Sequence, residues 1–216
     1  MLEVRELASR DRVQAVRMMV DAFVDSPLWL ATGPANERYR RGALWLFFMV
    51  EMYVARRRGG WLLAAYDGDR VAGLLVAIPD GTTPVPLTAW PVRVLPGFFV
   101  GPLPAFRTVR ISNELDRRQP KEPHTHCWLL GADSTTRGVG ALLLQAVCER
   151  AAPLNRDVYL EAATRERAEL FGVLGWREIG RYRLRNGNEM TFMIRPAEEV
   201  RRAADRRRRA RPAVAA

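Results

Sequence analysis

The chain has 216 residues, 48% of them apolar, which is enough for one or two domains with a sizeable core and excludes a disordered chain. Lys and Arg number 34 against 24 Asp and Glu, a formal charge of +10, and all the cations but Lys121 are Arg. This excess fits either an Arg-rich genomic composition or binding to nucleic acid or an anionic membrane. The apolar runs are too short for a membrane span, and no secretory signal is visible. Two cysteines and two histidines are too few for a disulfide framework or a typical structural metal site. We therefore expect a cytoplasmic protein without a metal.

Hydrophobic periodicity and turn signals predict alternating helices and strands along most of the chain. Helical spacing of apolar residues begins near Ser9 or Asp11, either of which is available as an N-cap. Asp67-Gly68 and Asn186-Gly187 stand between β-rich runs and indicate two hairpins. The predicted elements are a strand over 3–7, helices over 11–24 and 36–57, a hairpin of 61–66 and 71–78, a helix over 105–119, a strand over 124–132, a helix over 138–152, a strand over 157–162, a helix over 164–174, and a hairpin of 176–184 and 188–194.

Residues 79–122 contain eight of the 14 prolines and stand out as an insertion. A stretch of this length inside a compact domain is usually functional, and we interpret it as a lid or substrate wall. Its Trp90, Phe98, Phe99 and Phe106 would suit an apolar substrate. Ordinary packing of an insertion explains the same residues equally well.

Residues 197–216 carry much of the positive charge. In the last 17 residues seven arginines oppose Asp205, a net charge of +6, which leaves +4 for the preceding 199 residues. Blocks of like charge repel one another and stay solvated, so we expect a disordered tail after a domain spanning 1–196. A weak, salt-sensitive tether to nucleic acid is the alternative for this tail, and we expect no specific nucleic-acid binding by the rest of the chain.

The most informative motif follows the strand that opens at Pro123-His124. That strand runs into Thr-Thr-Arg-Gly-Val-Gly at 135–140, where a helix begins. Glycines let the backbone approach a ligand, and the free N–H groups of a first helical turn bind phosphate oxygens. The segment lacks the P-loop lysine and the dinucleotide-binding glycine pattern, so it predicts a phosphate cradle of another kind.

Together with the downstream segment from Val158 to Trp176, this motif resembles the GNAT superfamily of N-acetyltransferases. Within it, the Pro-His that opens the central strand and the Leu-Glu of the next strand are similar to the puromycin-acetyltransferase-like enzymes. The resemblance implies an α/β fold: a mixed, mostly antiparallel sheet with splayed central strands, flanked by helices. It also implies acetyl-CoA as co-substrate, bound between those strands.

The resemblance also implies which residues would bind acetyl-CoA. A pantetheine edge falls on the end of the central strand, and a pyrophosphate cradle falls on the loop and first helical turn that follow. Two positions depart from the family pattern: Arg167 stands where the family has Asn, and Phe171 stands where it has a Tyr that protonates the departing thiolate. The cofactor-binding candidates are Leu130, Gly131, Ala132, Arg137, Gly138, Val139, Gly140, Ala141, Arg167 and Phe171.

Three residues are candidates for acid–base catalysis: His126, Glu161 and His124. Because side chains alternate along a strand, we expect His124, His126, Trp128 and Leu130 on one face, with Cys127 on the other. An imidazole is suited to accept a proton from an ammonium group near neutral pH, and so is a partly buried carboxylate such as Glu161.

These observations favour an acetyl-CoA-dependent N-acyltransferase acting on a small amine, an antibiotic or specialised metabolite, in a monomer or homodimer. The alternative is a biosynthetic enzyme that keeps the scaffold but performs cyclisation, elimination or hydrolysis, because Phe171 has no proton to transfer.

Overall fold

The computed structural model describes residues 2–82, 102–184 and 186–210. Its strands are β1 Leu2–Glu6, β2 Trp61–Asp67, β3 Arg70–Ile78, β4 His124–Ala132, β5 Asp157–Ala162, β6 Arg177–Arg183 and β7 Glu189–Arg195. Its helices are α1 Arg12–Phe23, α2 Pro27–Thr32, α3 Glu37–Arg57, α4 Pro102–Asp116, α5 Val139–Ala151, α6 Arg165–Val173 and α7 Ala197–Ala210, with short 3-10 turns at Ser9–Asp11 and Ala152–Leu154.

All seven strands belong to one sheet in the order β1-β2-β3-β4-β5-β7-β6. Every neighbouring pair is antiparallel except β4 and β5, which run parallel and are joined through α5. The mixed, mostly antiparallel α/β sheet expected from the sequence is thus confirmed.

Helices cover both faces of the sheet. One face, called here the α1 face, packs against α1 and α3 through a core that includes Met19 and Phe48. The opposite face, the α5 face, packs against α5, α6 and α7 through a core that includes Leu143, Phe171 and Val200. The central strands are therefore covered on both sides, which explains their nearly continuous apolar sequences.

The two central strands separate part-way along their length. β4 and β5 pair from His124↔Asp157 to Cys127↔Leu160, and the pairing ends there. Beyond it, β4 continues to pair with β3, and β5 continues to pair with β7. The result is a gap between residues 128–132 of β4 and residues 161–162 of β5, called here the notch. It is the splay that the family resemblance implied.

A β-bulge in β4 changes which side chains share a face. Val76 of β3 pairs with Leu129, whereas Ala77 pairs with Cys127, so Trp128 is an extra residue in β4. Trp128 and Leu129 both pack into the core of the α1 face, and Leu130 packs against the α5 face. The expectation that Leu130 shares a face with His126 is therefore wrong, because strict alternation fails at a bulge.

The C-terminal residues form a helix where the sequence predicts a disordered tail. α7 extends over Ala197–Ala210, and its Val200 and Ala204, one turn apart, are 0% and 6% exposed. This apolar pair packs α7 onto the α5 face, and the Arg-rich composition obscured it. The expectation of disorder is wrong over 197–210, and residues 211–216 lie outside the described part of the chain.

Other elements differ from expectation in detail. The helix predicted over 105–119 is α4, Pro102–Asp116, and the predicted strand 3–7 begins and ends one residue earlier. The short helix α2, Pro27–Thr32, was not predicted. Trp90, Phe98 and Phe99 lie outside the described residues. None of the helices that the structure describes is both long and apolar enough to cross a bilayer.

Candidate active site

A buried histidine–carboxylate pair lies where β4 and β5 begin to diverge. His126 pairs in register with Tyr159, so Glu161, two residues further along β5, projects from the same face. The Nε2 atom of His126 lies 3.0 Å from Oε2 of Glu161, and the two side chains are 4% and 8% exposed. Two of the three acid–base candidates from the sequence therefore contact each other at the inner end of the notch.

The carboxylate of Glu161 retains one open acceptor. Oε2 interacts with His126, whereas Oε1 is buried and has no hydrogen-bond partner in the described structure. Leaving a buried carboxylate oxygen unpaired costs free energy, and a donor from a ligand would recover it. Glu161 Oε1 is thus the atom of this pair best placed to accept a proton.

His124 lies deeper in the same cluster and has a different environment. It is 1% exposed, and its Nδ1 lies 2.9 Å from the carbonyl oxygen of Glu122. Burial lowers the pKa of His124 below the ordinary value, although the Glu122 carbonyl opposes this effect. The imidazole is therefore neutral at pH 7, and Nδ1–H donates to Glu122. The ring of His124 packs against that of Tyr159, with 5.3 Å between the ring centroids, and does not reach the notch.

Tyr159 belongs to the cluster although the sequence did not single it out. Its ring lies 5.2 Å from that of His126, it is fully buried, and its hydroxyl lacks a hydrogen-bond partner among the described residues. Burial raises the pKa of this hydroxyl, and the negative charge of Glu161 adds to the effect. Tyr159 is thus neutral, with an unused O–H donor. Its position two residues before Glu161 on a strand was the available signal.

A second buried carboxylate stands behind the cluster on α3. Glu51 is 5% exposed, and its Oε2 accepts a 3.0 Å hydrogen bond from Nε1 of Trp128, whose ring contacts that of His126 at 5.5 Å. The sequence signal was a charged residue between Val50 and Met52 in an apolar helix. Through the bulged Trp128, Glu51 fixes the wall against which His126 packs.

The far side of the cluster is apolar. Tyr159 packs with Leu115 of α4 and with Phe192 of β7, and Leu28 of α2 packs against the same group. The side-chain amide of Asn186 donates to the carbonyl of Pro27 at 2.9 Å, which ties the β6–β7 turn to α2. Polar atoms of the cluster are therefore enclosed by hydrocarbon, where electrostatic interactions are strengthened.

The glycine loop leads directly into α5, whose first turn has no side-chain cap. Gly138 is the N-cap of α5 with φ +80°, a left-handed conformation that favours glycine, and no side chain caps the helix. The first-turn N–H groups of Val139, Gly140 and Ala141 therefore lack intrahelical acceptors and remain available to an anion. The loop before them is held by Asp133, which accepts from the N–H and hydroxyl of Thr135 at 2.8 and 2.9 Å.

The open edge of β4 connects the cluster to this cradle. Leu130, Gly131 and Ala132 pair with β3 on one side, and on the notch side no described strand pairs with them. Packing favours Gly131, because a Cβ there would displace the side chain of Met19 of α1. The notch therefore offers unpaired backbone along its length, with a carboxylate at one end and helix amides at the other.

The chain is similar to several solved acetyltransferase structures. No protein-family model and no curated protein matches the chain. A structure described as histone acetyltransferase HPA2 and related acetyltransferase from Corynebacterium glutamicum has a TM-score of 0.69 at 22% identity, over 90% of this chain and 96% of that one. A Drosophila melanogaster polyamine N-acetyltransferase that forms N-acetylagmatine has a TM-score of 0.59 at 17% identity, over 91% and 100%. An agmatine N-acetyltransferase has a TM-score of 0.58 at 17% identity, over 90% and 99%.

The fold is that of the GNAT acetyltransferases. Within this GNAT fold, the two positions that depart from the family pattern have distinct surroundings. Phe171 is 6% exposed and packs in the core of the α5 face. Arg167 is exposed on α6, and Arg137 is exposed in the loop that precedes α5. The side chains of both arginines have no partner in the described structure. Phe171 thus serves packing, while the two arginines are free to bind an anion.

Two groups that could have supplied other chemistry lie apart from the notch. Cys127 points into the core of the α5 face, away from His126, and burial raises its pKa well above the ordinary value. Among the described residues, no three His, Cys, Asp or Glu side chains are grouped as metal ligands would be.

Proposed function

We propose that the protein is an acetyl-CoA-dependent N-acyltransferase whose acceptor is a small, protonated amine. The observation that carries the proposal is the single notch that has the open oxygen of Glu161 at its inner end and uncapped helix amides at its outer end. These are the two groups an acyl transfer from a phosphate-bearing thioester to an amine requires.

The residues of the notch fit acetyl-CoA. The N–H groups of Gly138, Val139, Gly140 and Ala141 would bind the pyrophosphate, with Arg137 and Arg167 as flanking cations. The unpaired backbone of Leu130, Gly131 and Ala132 would hydrogen-bond to the pantetheine amides. When bound, acetyl-CoA supplies the activated acyl group.

Glu161 acts as the base in this proposal, and His126 positions it. With Nε2–H of His126 donating to Oε2, the carboxylate is fixed and its Oε1 accepts a proton from the ammonium group of the acceptor. The resulting neutral amine is the nucleophile, and the apolar surroundings strengthen the attraction between Glu161 and the ammonium ion. His124, held neutral and buried, supports the cluster rather than taking part in proton transfer.

Phe171 provides no acid for the departing thiolate. Because Phe171 is a core residue without a proton to donate, the departing thiolate is protonated either by the proton that Glu161 has accepted or by one from water. Tyr159, whose ring contacts that of His126, is neutral and carries a proton, but its buried hydroxyl has no hydrogen-bond partner among the described residues and takes no step in this proposal.

A protonated amine as acceptor has independent support. The buried carboxylate of Glu161 favours a cation, and the surrounding Leu28, Leu115 and Phe192 favour a hydrocarbon portion. Two similar structures are named as acetyltransferases of a polyamine and of agmatine, both cationic amines. Antibiotic or specialised-metabolite amines of the puromycin-acetyltransferase-like kind, a cytoplasmic location and a monomer or homodimer remain part of the proposal. The acetyltransferase neighbours do not favour cyclisation, elimination or hydrolysis.

The test has two parts. Calorimetric titration with acetyl-CoA is expected to show binding, and thiol release across a panel of amines is expected to identify an acceptor. Glu161→Gln should reduce thiol release by about 10²- to 10⁴-fold without weakening acetyl-CoA binding, because it removes the base and spares the cradle. Absence of acetyl-CoA binding at high micromolar concentration would refute the proposal.

Matched variants separate catalysis from folding. Glu3→Gln changes an exposed carboxylate of β1 in the same way and should leave the rate unchanged. His126→Gln should lower the rate less than Glu161→Gln and shift its pH profile, because it alters the position of the base rather than removing it. Equal rates for wild type and Glu161→Gln would show that another group accepts the proton.

A further inference from the structure

A cavity of about 230 Å³ lies on the α5 face, outside the His126–Glu161 cluster. Its walls come from α5, from the end of α6 at Leu174, from α7, from Trp176 just before β6, and from Arg195 at the end of β7. Most of the lining is apolar, so the polar groups that reach it define what it can bind.

Trp176 and Arg195 lie next to each other at one end of the cavity. Trp176 directly precedes β6, Arg195 ends β7, and Arg177 pairs with Ile194 between these two strands. Both side chains project toward α5, since Arg195 Nη1 lies 3.9 Å from the sulfur of Cys148 on that helix. Their donors therefore converge on one end of the cavity.

Each of these residues has one buried donor atom without an acceptor. The indole Nε1 of Trp176, which is 3% exposed, and Nε of Arg195 are both buried without a hydrogen-bond partner. No carboxylate in the described part of the chain forms an ion pair with Arg195. Glu149 also lines the cavity, but it already has an interaction of its own. Two buried donors and a charge thus lack the acceptor that burial normally requires.

We propose that this cavity binds a phosphate group through Arg195 and Trp176. A tetrahedral phosphate accepts from several directions at once, and Arg binds it through charge-assisted hydrogen bonds. Gln145 of α5, which also lines the cavity, supplies a third donor from another side.

The same cavity extends toward the phosphate cradle. Ala141, whose amide belongs to the first turn of α5, lines one end, and Cys148 lies seven residues away, about 10 Å along the helix. A ligand with phosphates at both ends of this path could occupy both sites, and the 3′-phosphate of coenzyme A is such a second group. That source of the phosphate depends on the function proposed above, whereas inorganic phosphate does not.

The decisive experiment compares coenzyme A with 3′-dephospho-coenzyme A by calorimetry. The wild type is expected to bind coenzyme A at least tenfold more tightly. Arg195→Gln should remove this preference, while Arg183→Gln, which neutralises an exposed arginine of β6, should preserve it. Trp176→Phe keeps an aromatic ring but removes the N–H donor together with the five-membered ring, and it should weaken the preference. Melting temperatures without ligand establish that each variant is folded.

A parallel measurement identifies the source. Millimolar inorganic phosphate, against sodium chloride of equal ionic strength, should raise the melting temperature of the wild type more than that of Arg195→Gln. If only this effect depends on Arg195, the cavity binds free phosphate and the inference holds. If neither form of coenzyme A binds but the phosphate effect depends on Arg195, the proposed function fails and the inference still holds. If neither the preference nor the phosphate effect depends on Arg195, the inference is refuted.

Discussion

The packing of α7 makes a quantitative prediction about Val200. This side chain is 0% exposed in the core of the α5 face, beside Trp176 and Val147. Val200→Ala removes two buried methyl groups, a loss of about 1.6 kcal/mol from transfer alone and about 2 kcal/mol with the cavity that remains. In a chain of this size, each kcal/mol lowers the melting temperature by about 2–4 °C, so we expect a decrease of about 4–8 °C.

The control is Arg201→Ala, the adjacent residue, which is exposed on the same helix. Its free energy of unfolding should stay within about 0.5 kcal/mol of wild type. Urea denaturation followed by circular dichroism measures both variants, and an unchanged m-value would show that the change reflects stability. If Val200→Ala and Arg201→Ala had the same unfolding midpoint as wild type, α7 would not be docked on the sheet.

Three further changes test the cluster and its strand. Tyr159→Phe should leave the free energy of unfolding unchanged or raise it by up to about 1 kcal/mol, because the lost hydroxyl has no hydrogen-bond partner. Tyr66→Phe, which loses the 2.9 Å hydrogen bond to Asp11, should lower the free energy of unfolding by about 1 kcal/mol. Equal losses for the two variants in urea denaturation would contradict this prediction. Burial lowers the pKa of His124 in the folded state, so on acidification the unfolded chain takes up the proton first; the free energy of unfolding is therefore full above pH 6.5 and falls as the pH drops below it. His124→Gln should reduce this dependence of the free energy of unfolding on pH, measured by urea denaturation between pH 5 and 7.5. An unchanged dependence would assign it to another group. Gly131→Ala should destabilise the fold by about 1–3 kcal/mol through collision with α1, a cost that calorimetric unfolding would detect and that its absence would refute.

Features with local signals could be predicted from the sequence. The Asp67-Gly68 and Asn186-Gly187 turns each specify a hairpin within a few residues, and Gly138 marks the start of α5. The mixed, mostly antiparallel sheet with splayed central strands followed from the family resemblance. His126 and Glu161 were both recognised as candidates from their chemistry and their strands.

Features that depend on distant partners could not be predicted. The bulge at Trp128 exists only through the register of β4 on β3, so no pattern within β4 reveals that Leu130 changes face. Likewise, the contact between His126 and Glu161 depends on the parallel register of β4 with β5. The docking of α7 was hidden for another reason: two buried apolar residues one turn apart are a weak signal among the six arginines of this helix.

The early end of the β4–β5 pairing has a mechanical consequence. Only four residue pairs join β1–β4 to β5–β7, fewer than at any other seam of the described sheet. Few hydrogen bonds hold the two halves of the sheet together at this seam, so the backbone amides beside it should exchange with solvent before those of the β2–β3 hairpin. A ligand that supplies the missing hydrogen bonds would join the two halves of the sheet more firmly. Binding in the notch would therefore also make the sheet more rigid.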